Sequence, residues 1–318
     1  MDPITHVAIG RAVMGARDGR RGAALGAAAV LGSLAPDVDA VLAFDGWDRY
    51  VRAHQYGTHS IAGALGTALL TAALVRVFAR RAPFRDLLTA AATGALTHVV
   101  LDLFAGGRIA LAWPLVDRRW SAPVVAMGDP WLLGLSLLWM LLIWPSRSRF
   151  RAGSRLAVAL AAAFIALKGL LLAYALRPVD TAVTASALEP RWGSLTRWIV
   201  YDRSPSDVRA REVRATRDEP PVTLRTERLR PEPPLAERSL ALEDVRNFLD
   251  AHEFAFPKQE PIDDGDIAVM WSDLRYCAPA DGSTQSCAVW VGGVFDHDGR
   301  ALRQEVRIGT LVQRRPAP

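Results

Sequence analysis

The chain has 318 residues, 51% of them hydrophobic and 22% charged, with a formal net charge of +5 and two cysteines. That length allows two domains, and the mean hydropathy of +0.13 averages over two unlike halves. An isoelectric point near 9.7 invites a nucleic-acid surface. The arginines, however, fall in clusters between apolar segments and no DNA-binding motif accompanies them, so nucleic-acid binding is not expected. Residues 1–177 are rich in Ala, Leu, Val and Gly, whereas residues 178–318 are mixed, charged and broken by "DEPPV" and "RPEPPL". The reading is an all-α polytopic membrane bundle of five to six helices, the first a short hairpin, followed by a small α+β soluble domain.

The opening "MDPITHVAIG" has no basic leader, so a cleavable signal peptide is not expected. "THVAIGRAVMGA" predicts a helix of half-membrane length, and apolar stretches follow at 22–44, 60–79, 87–105, 131–145 and 155–176. A span needs about 20 apolar residues. The fourth stretch is short but can begin earlier, at "APVVAMGDP". "GARDGRRG" reads as a turn and Pro36 as the end of the second helix, which makes residues 4–44 a hairpin. Each arm is then about 20 Å long at 1.5 Å per residue. Ser60 reads as the N-cap of the next helix, and Asp129 as the N-cap ahead of Pro130. Trp113, Trp120 and Trp131 read as interfacial anchors.

Arginines cluster at 17, 20 and 21, at 76, 80, 81 and 85, and at 147, 149, 151 and 155. The positive-inside rule makes these the cytoplasmic turns. Counting crossings from there predicts a multi-pass inner-membrane protein whose C-terminal domain is extracytoplasmic. Cys277 and Cys287 flank "APADGSTQS", which reads as a hairpin turn, and an oxidising compartment would let them pair.

The same count brings most of the chain's histidines to one membrane face. His6, His54, His59 and His98 each border an apolar segment, and Asp37, Asp39 and Asp102 lie among them. Imidazoles and carboxylates are the ligand set of zinc and other first-row metals. Ionisable groups near hydrocarbon are costly and mark a site by default. His98 and Asp102 are at i and i+4, on one helix face. Thr97 precedes them and is placed to orient the pair. Asp37 and Asp39 follow Pro36, and an extended segment there would point both to one side. These seven residues suffice for one or two divalent ions, zinc or manganese, each with an open position. A bound metal lowers the pKa of water to about 7, and Asp37 is the candidate base.

Together "ITHVAIG", "PDVD", "HQYGTHS" and "HVVLD" resemble the YdjM-like family of membrane proteins, regarded as metal-dependent hydrolases. The resemblance covers roughly residues 1–145, and the "DLRY" segment at 273–276 is similar to that of longer members with a soluble tail. Gln55-Tyr56 stand where the family loop His-Arg-Gly-x-Thr-His-Ser has its basic residue. The family's arginine contact to an anionic substrate therefore has no counterpart at that step. The family is itself similar to zinc phospholipase C and related nucleases, which implies hydrolysis of a phosphoester, phospholipid or lipid-linked substrate in the bilayer.

In the tail, strands are predicted at "SLTRWIVYD", "PVTLRTERL", "DIAVMWSDLRY", "CAVWVGGVFD" and "ALRQEVRIG", the last of them an antiparallel meander. "LALEDVRNFLDAHEF" predicts a helix, and His252 and His297 are expected at the surface. Two other classes fit the composition. One is a transporter or ion conductor using the His/Asp cluster; the other is a non-catalytic membrane anchor for the C-terminal module.

Overall fold

The computed structural model describes residues 1–18, 22–44, 53–177, 185–215, 220–229, 234–262, 265–277 and 287–317. The chain divides into two compact units. One comprises Met1–Tyr174 with Glu189–Arg197, the other Ala175–Leu188 with Trp198–Pro318.

The first unit is helical. Helix α1 spans Pro3–Asp18, α2 Ala23–Leu34, α3 Ile61–Phe78, α4 Phe84–Phe104, α5 Pro130–Leu142 and α6 Phe150–Ala175. Each apolar stretch read from the sequence is thus a helix. Among the described residues, four segments are long and apolar enough to cross a membrane: Ala23–Leu42, Ile61–Phe78, Phe84–Phe104 and Phe150–Ala175. At 13 residues, α5 is shorter than a span requires. Helices α1 and α2 pack on each other and on α4, as the hairpin reading expects. Residues 19–21 of its turn lie outside the described residues.

The α-helix gives way at Ala35 to a 3-10 segment, Ala35–Phe44. Pro36 is the reason: it has no N–H for an α-helical bond, and its ring crowds the carbonyl four residues back. Both expected N-caps are present. The Ser60 hydroxyl accepts from the Gly63 N–H, and the Asp129 carboxylate accepts from the N–H groups of Trp131 and Leu132.

Helices α2, α3 and α4 meet through small side chains. Ala28 and Ala29 of α2, Ala64, Ala68 and Ala72 of α3, and Ala90, Ala91 and Ala95 of α4 are fully buried in one core. Residues four apart lie on one helix face, and an alanine face lets backbones approach closely where apolar burial gives no advantage over lipid. The approach is closest at two glycines. A Cβ on Gly32 would collide with the carbonyl of Ala91, and one on Gly94 would collide with the Ala29 carbonyl and come within 2.7 Å of the Ser33 nitrogen.

The second unit contains a four-stranded sheet, β1 (Ala185–Pro190), β2 (Arg197–Arg203), β3 (Asp207–Arg214) and β4 (Val222–Arg228), in chain order. Arg197 and residues 189–190 at the β1–β2 end belong to the first unit. A short helix α7 (Ala236–Ser239) and α8 (Glu243–Ala251) lead to a five-stranded antiparallel meander. Its strands are β5 (Ala255–Pro261), β6 (Ile267–Asp273), β7 (Val289–Phe295), β8 (Ala301–Ile308) and β9 (Leu311–Pro316). β7, with every residue buried, is its centre. The strands that sequence patterning misses include β1, β5 and β9. All three are sheet edges and each contains proline, which an edge strand tolerates and a central one does not.

Cys277 and Cys287 form a disulfide; the turn between them, 278–286, lies outside the described residues. His297 is exposed as expected, but His252 is not. It is 6% exposed, stacked on Phe248 and hydrogen-bonded to the Phe248 carbonyl and the Tyr276 hydroxyl. Burial holds its pKa below the ordinary histidine value. The i−4 carbonyl of its own helix end and a tyrosine four positions past β6's Ser272 capture the ring, which local pattern does not reveal.

Candidate metal centre

Three elements converge at one end of the helical unit: the 3-10 segment after α2, the loop before α3, and the last turns of α4. Asp37, His59, His98 and Asp102 come from these three elements, and their ligand atoms all lie within 4.8 Å of one another. His59 Nε2 is 3.2 Å from His98 Nε2, 3.4 Å from Asp37 Oδ1 and 3.5 Å from Asp102 Oδ2. His98 Nε2 is 3.4 Å from Asp37 Oδ1 and 3.3 Å from Asp102 Oδ2. A tetrahedral ion with bonds of about 2.0–2.1 Å spaces its ligands about 3.3–3.4 Å apart. Three of the six edges of this quartet match that spacing, and two more, at 3.2 and 3.5 Å, lie close to it.

The donors are oriented from behind. His98 Nδ1 lies 2.8 Å from the Ser33 carbonyl. A carbonyl can only accept, so Nδ1 carries the proton and Nε2 is left as the ligand atom. Pro36, three residues beyond Ser33, has no N–H to offer that carbonyl.

His59 is held in the same sense. Its Nδ1 is 3.3 Å from Asp39 Oδ2 and 3.2 Å from the Thr58 hydroxyl, which itself donates to Asp39. With its one proton given to Asp39, that hydroxyl can only accept from His59. Burial disfavours the charged form of His59, but the carboxylates of Asp102, Asp37 and Asp39 outweigh it and push the pKa up to about 10.

Burial is uneven. The side chains of His59, His98 and Asp102 are 0–2% exposed, whereas Asp37 is 34% exposed. The quartet therefore opens on the Asp37 side.

His6, on α1, stacks on His98 with ring centroids 3.8 Å apart, and its Nε2 is 3.1 Å from Asp102 Oδ1. Its Nδ1 is buried without a hydrogen-bond partner among the described residues. An orphaned buried polar atom beside a ligand quartet fits an ion. Asp102 also pairs with the α-amino group of Met1.

His54 is placed differently. Its Nδ1 is 3.1 Å from Asp39 Oδ1, and Asp39, His54 and His59 make a second group that could hold an ion. Six of the seven residues read from the sequence thus fall in two groups sharing His59, and His6 lies beside the first of them. The expectation that Asp37 and Asp39 point to one side is corrected. They lie on a 3-10 helix, not an extended strand, so Asp37 faces His59 Nε2 and Asp39 faces His59 Nδ1. Thr97 does not orient the pair either: its hydroxyl donates to the Thr93 carbonyl one turn back.

Sequence reading missed Thr58 and Ser33. Thr58 was legible as the residue before His59 in "GTHS". Ser33 acts through its backbone carbonyl, for which a side-chain pattern carries no signal. The His54–His59 loop is pinned by the chain after α4. Ala110 N–H donates to the Gln55 carbonyl, Arg108 N–H to Gln55 Oε1, and Ile61 N–H to the Leu111 carbonyl. Gln55 holds a positive φ of 65°, so its amide serves the loop's shape.

The model of the YdjM inner membrane protein family matches residues 1–177, which contain this whole centre. The chain belongs to that family. It is also 32% identical over 158 residues to the uncharacterized protein YfhP of Bacillus subtilis (strain 168). That match covers 45% of this chain and 46% of YfhP, so the chain spans about half the length of the curated relative it matches. No solved structure matches. In this YdjM family member the His/Asp quartet lies within the matched residues, and the strands β1–β9 lie beyond them.

Proposed function

We propose that this protein is a membrane-bound metal-dependent hydrolase holding one zinc ion, and that it acts on a phosphoester in a phospholipid or lipid-linked substrate. The observation that carries the reading is the near-tetrahedral N2O2 quartet with a single exposed member. Two imidazoles with two carboxylates at that spacing suit zinc better than magnesium or calcium, which take more oxygen ligands. When bound, the ion would bring the pKa of water to about 7 and polarise a phosphoryl oxygen.

His59, His98 and Asp102 hold the buried side, and His6 lies beside Asp102 as a further donor. Asp37 stands at the open mouth. It is the residue that yields to an incoming substrate and the one placed to take a proton at its carboxylate. Asp39 is assigned to positioning rather than to a second ion. Its partner His59 Nδ1 keeps a proton for it, and a second ion would require His59 to lose both.

Purified protein is expected to contain about one zinc per chain and to hydrolyse a phospholipid or an aryl phosphate. Chelation should stop turnover and zinc should restore it. A preparation that turns over at full rate after its metal has been stripped would refute the reading. Asp37→Asn, left with a neutral amide oxygen as donor, should bind metal less tightly, and its turnover at saturating zinc should fall by about 100-fold, within the range for loss of a general base. Asp39→Asn separates one ion from two. It should weaken metal affinity by about 10–100-fold, the usual cost of losing an outer-shell partner, without halving the stoichiometry. A drop from two ions to one would instead make Asp39 a ligand.

The proposed sidedness puts the arginine-rich turns in the cytoplasm and the disulfide-bearing unit outside. Reporter fusions at residues 50 and 200 should then read extracytoplasmic, and one at residue 150 cytoplasmic. Thiol labelling of protein from intact cells should find Cys277 and Cys287 blocked until reductant is added, since such bonds persist in oxidising compartments. Free thiols in both would place that unit in the cytoplasm.

A further inference from the structure

Between β1 and β2 the chain turns at residues 191–196, and these residues group with the helical unit. Three bonds hold the turn there. Trp131 Nε1 donates to the Gly193 carbonyl at 3.3 Å, and Trp192 Nε1 donates to the Gly128 carbonyl at 3.0 Å. The two indoles thus tie the turn and the start of α5 to each other reciprocally. The third bond fixes the level of the turn along α6: Lys168 Nζ donates to the Ser194 carbonyl at 2.8 Å. The same buried ammonium lies 3.9 Å from the carboxylate of Asp129, the N-cap of α5. Lys168 is seven residues before Ala175, so the turn sits beside the last two turns of α6, about 10 Å short of its end.

We propose that this turn lies in the headgroup layer of the membrane, with Trp192, Trp131 and Leu195 as the side chains that enter the lipid interface. From Phe150, where α6 begins, to Lys168 is eighteen residues, or about 27 Å. A hydrocarbon core is about 30 Å thick. The turn is therefore at the level where a spanning α6 leaves the hydrocarbon. Trp192 is 70% exposed and Trp131 is 52% exposed, although both indole N–H groups are already bonded to carbonyls. What remains uncovered is apolar ring, and such amphipathic rings concentrate at headgroup level. Leu195 is exposed beside them. Arg191 precedes Trp192 and limits the depth, because a charge in the hydrocarbon is costly. Lipid is the partner because α6 is apolar enough to cross a membrane and exposes Leu167 and Leu170 on either side of Lys168. The residues of the turn lie beyond the family match. The inference uses no part of the metal centre and does not rest on the hydrolase reading.

The test uses the full-length protein in liposomes. The two cysteines are joined in a disulfide, so Trp192→Cys and, separately, Leu195→Cys each supply one thiol for a fluorescent probe. Leu160→Cys, exposed near the middle of α6, is the reference for the hydrocarbon. Nitroxides carried on lipid close to the headgroup should remove most of the emission at 192 and 195, and more of it than nitroxides at the end of the acyl chain. The order should reverse at 160. Trp192→Cys also loses the bond to Gly128; should it not fold, Leu195→Cys alone decides. A probe in the turn that responds only to aqueous iodide would place the turn in water and overturn the proposal. One silent to both quenchers would place protein over the turn and overturn it as well. A quenching order equal to that at 160 would overturn the headgroup level in favour of the hydrocarbon.

Discussion

Replacing His98 with alanine is expected to empty the metal centre, with affinity falling by more than about 100-fold, beyond the 10–100-fold typical of outer-shell losses. The His98 ring is fully buried, its Nε2 contacts Asp37, His59 and Asp102, and its Nδ1–H is committed to the Ser33 carbonyl. Truncation would remove a donor and leave two carboxylates facing each other across a buried space. Each would lose one of the partners that offset its charge, a costly loss at the buried Asp102, so the variant should also unfold more readily. His59→Ala should behave alike, because it too joins Asp37 to Asp102 and also anchors Asp39. Elemental analysis of the purified variants is the measurement. Wild-type metal content in both would show that these imidazoles do not bind the ion.

The second large effect is expected from Gly94→Val, with Gly32→Val alongside it. Neither residue touches a proposed ligand. Gly94 lies one turn before His98 on α4 and closes onto Ala29 and Ser33 of α2, while Gly32 closes onto the backbone of Ala91. The atoms in the way are mostly backbone, so a side chain can be accommodated only by separating the helices. Overpacking of this kind costs about 1–3 kcal/mol. Separation would also break the bond from His98 Nδ1 to the Ser33 carbonyl and draw Asp37 away from both imidazoles. Thermal stability and metal content should therefore fall together. Gly66→Val, on α3 with open space around it, is the matched control and should leave metal content unchanged without a comparable loss of stability. Loss of stability with full metal occupancy would show that the quartet does not depend on the α2–α4 approach.

Much of this was legible in the one-dimensional pattern. The apolar lengths, Ser60 and Asp129 as caps, and Pro36 as the end of α2 depend on local backbone chemistry that sequence carries directly. His98 and Asp102 were readable as a pair because four residues of α-helix fix their relation. That these polar residues belong together was read by counting crossings between arginine clusters, which supposes the membrane topology proposed above. The membrane restricts each apolar span to a few orientations, so topology becomes nearly a matter of parity.

What the sequence did not contain is the partition of those residues. Asp37 and Asp39 are neighbours but one, and only the 3-10 geometry sends them to opposite nitrogens of His59. The tautomer of His98 depends on a carbonyl 65 positions away. Local pattern encodes which face of an element is apolar and where the element ends. Which atoms meet at a few ångströms is decided when helices separated by tens of residues pack through alanine and glycine, and that contact exists only in three dimensions.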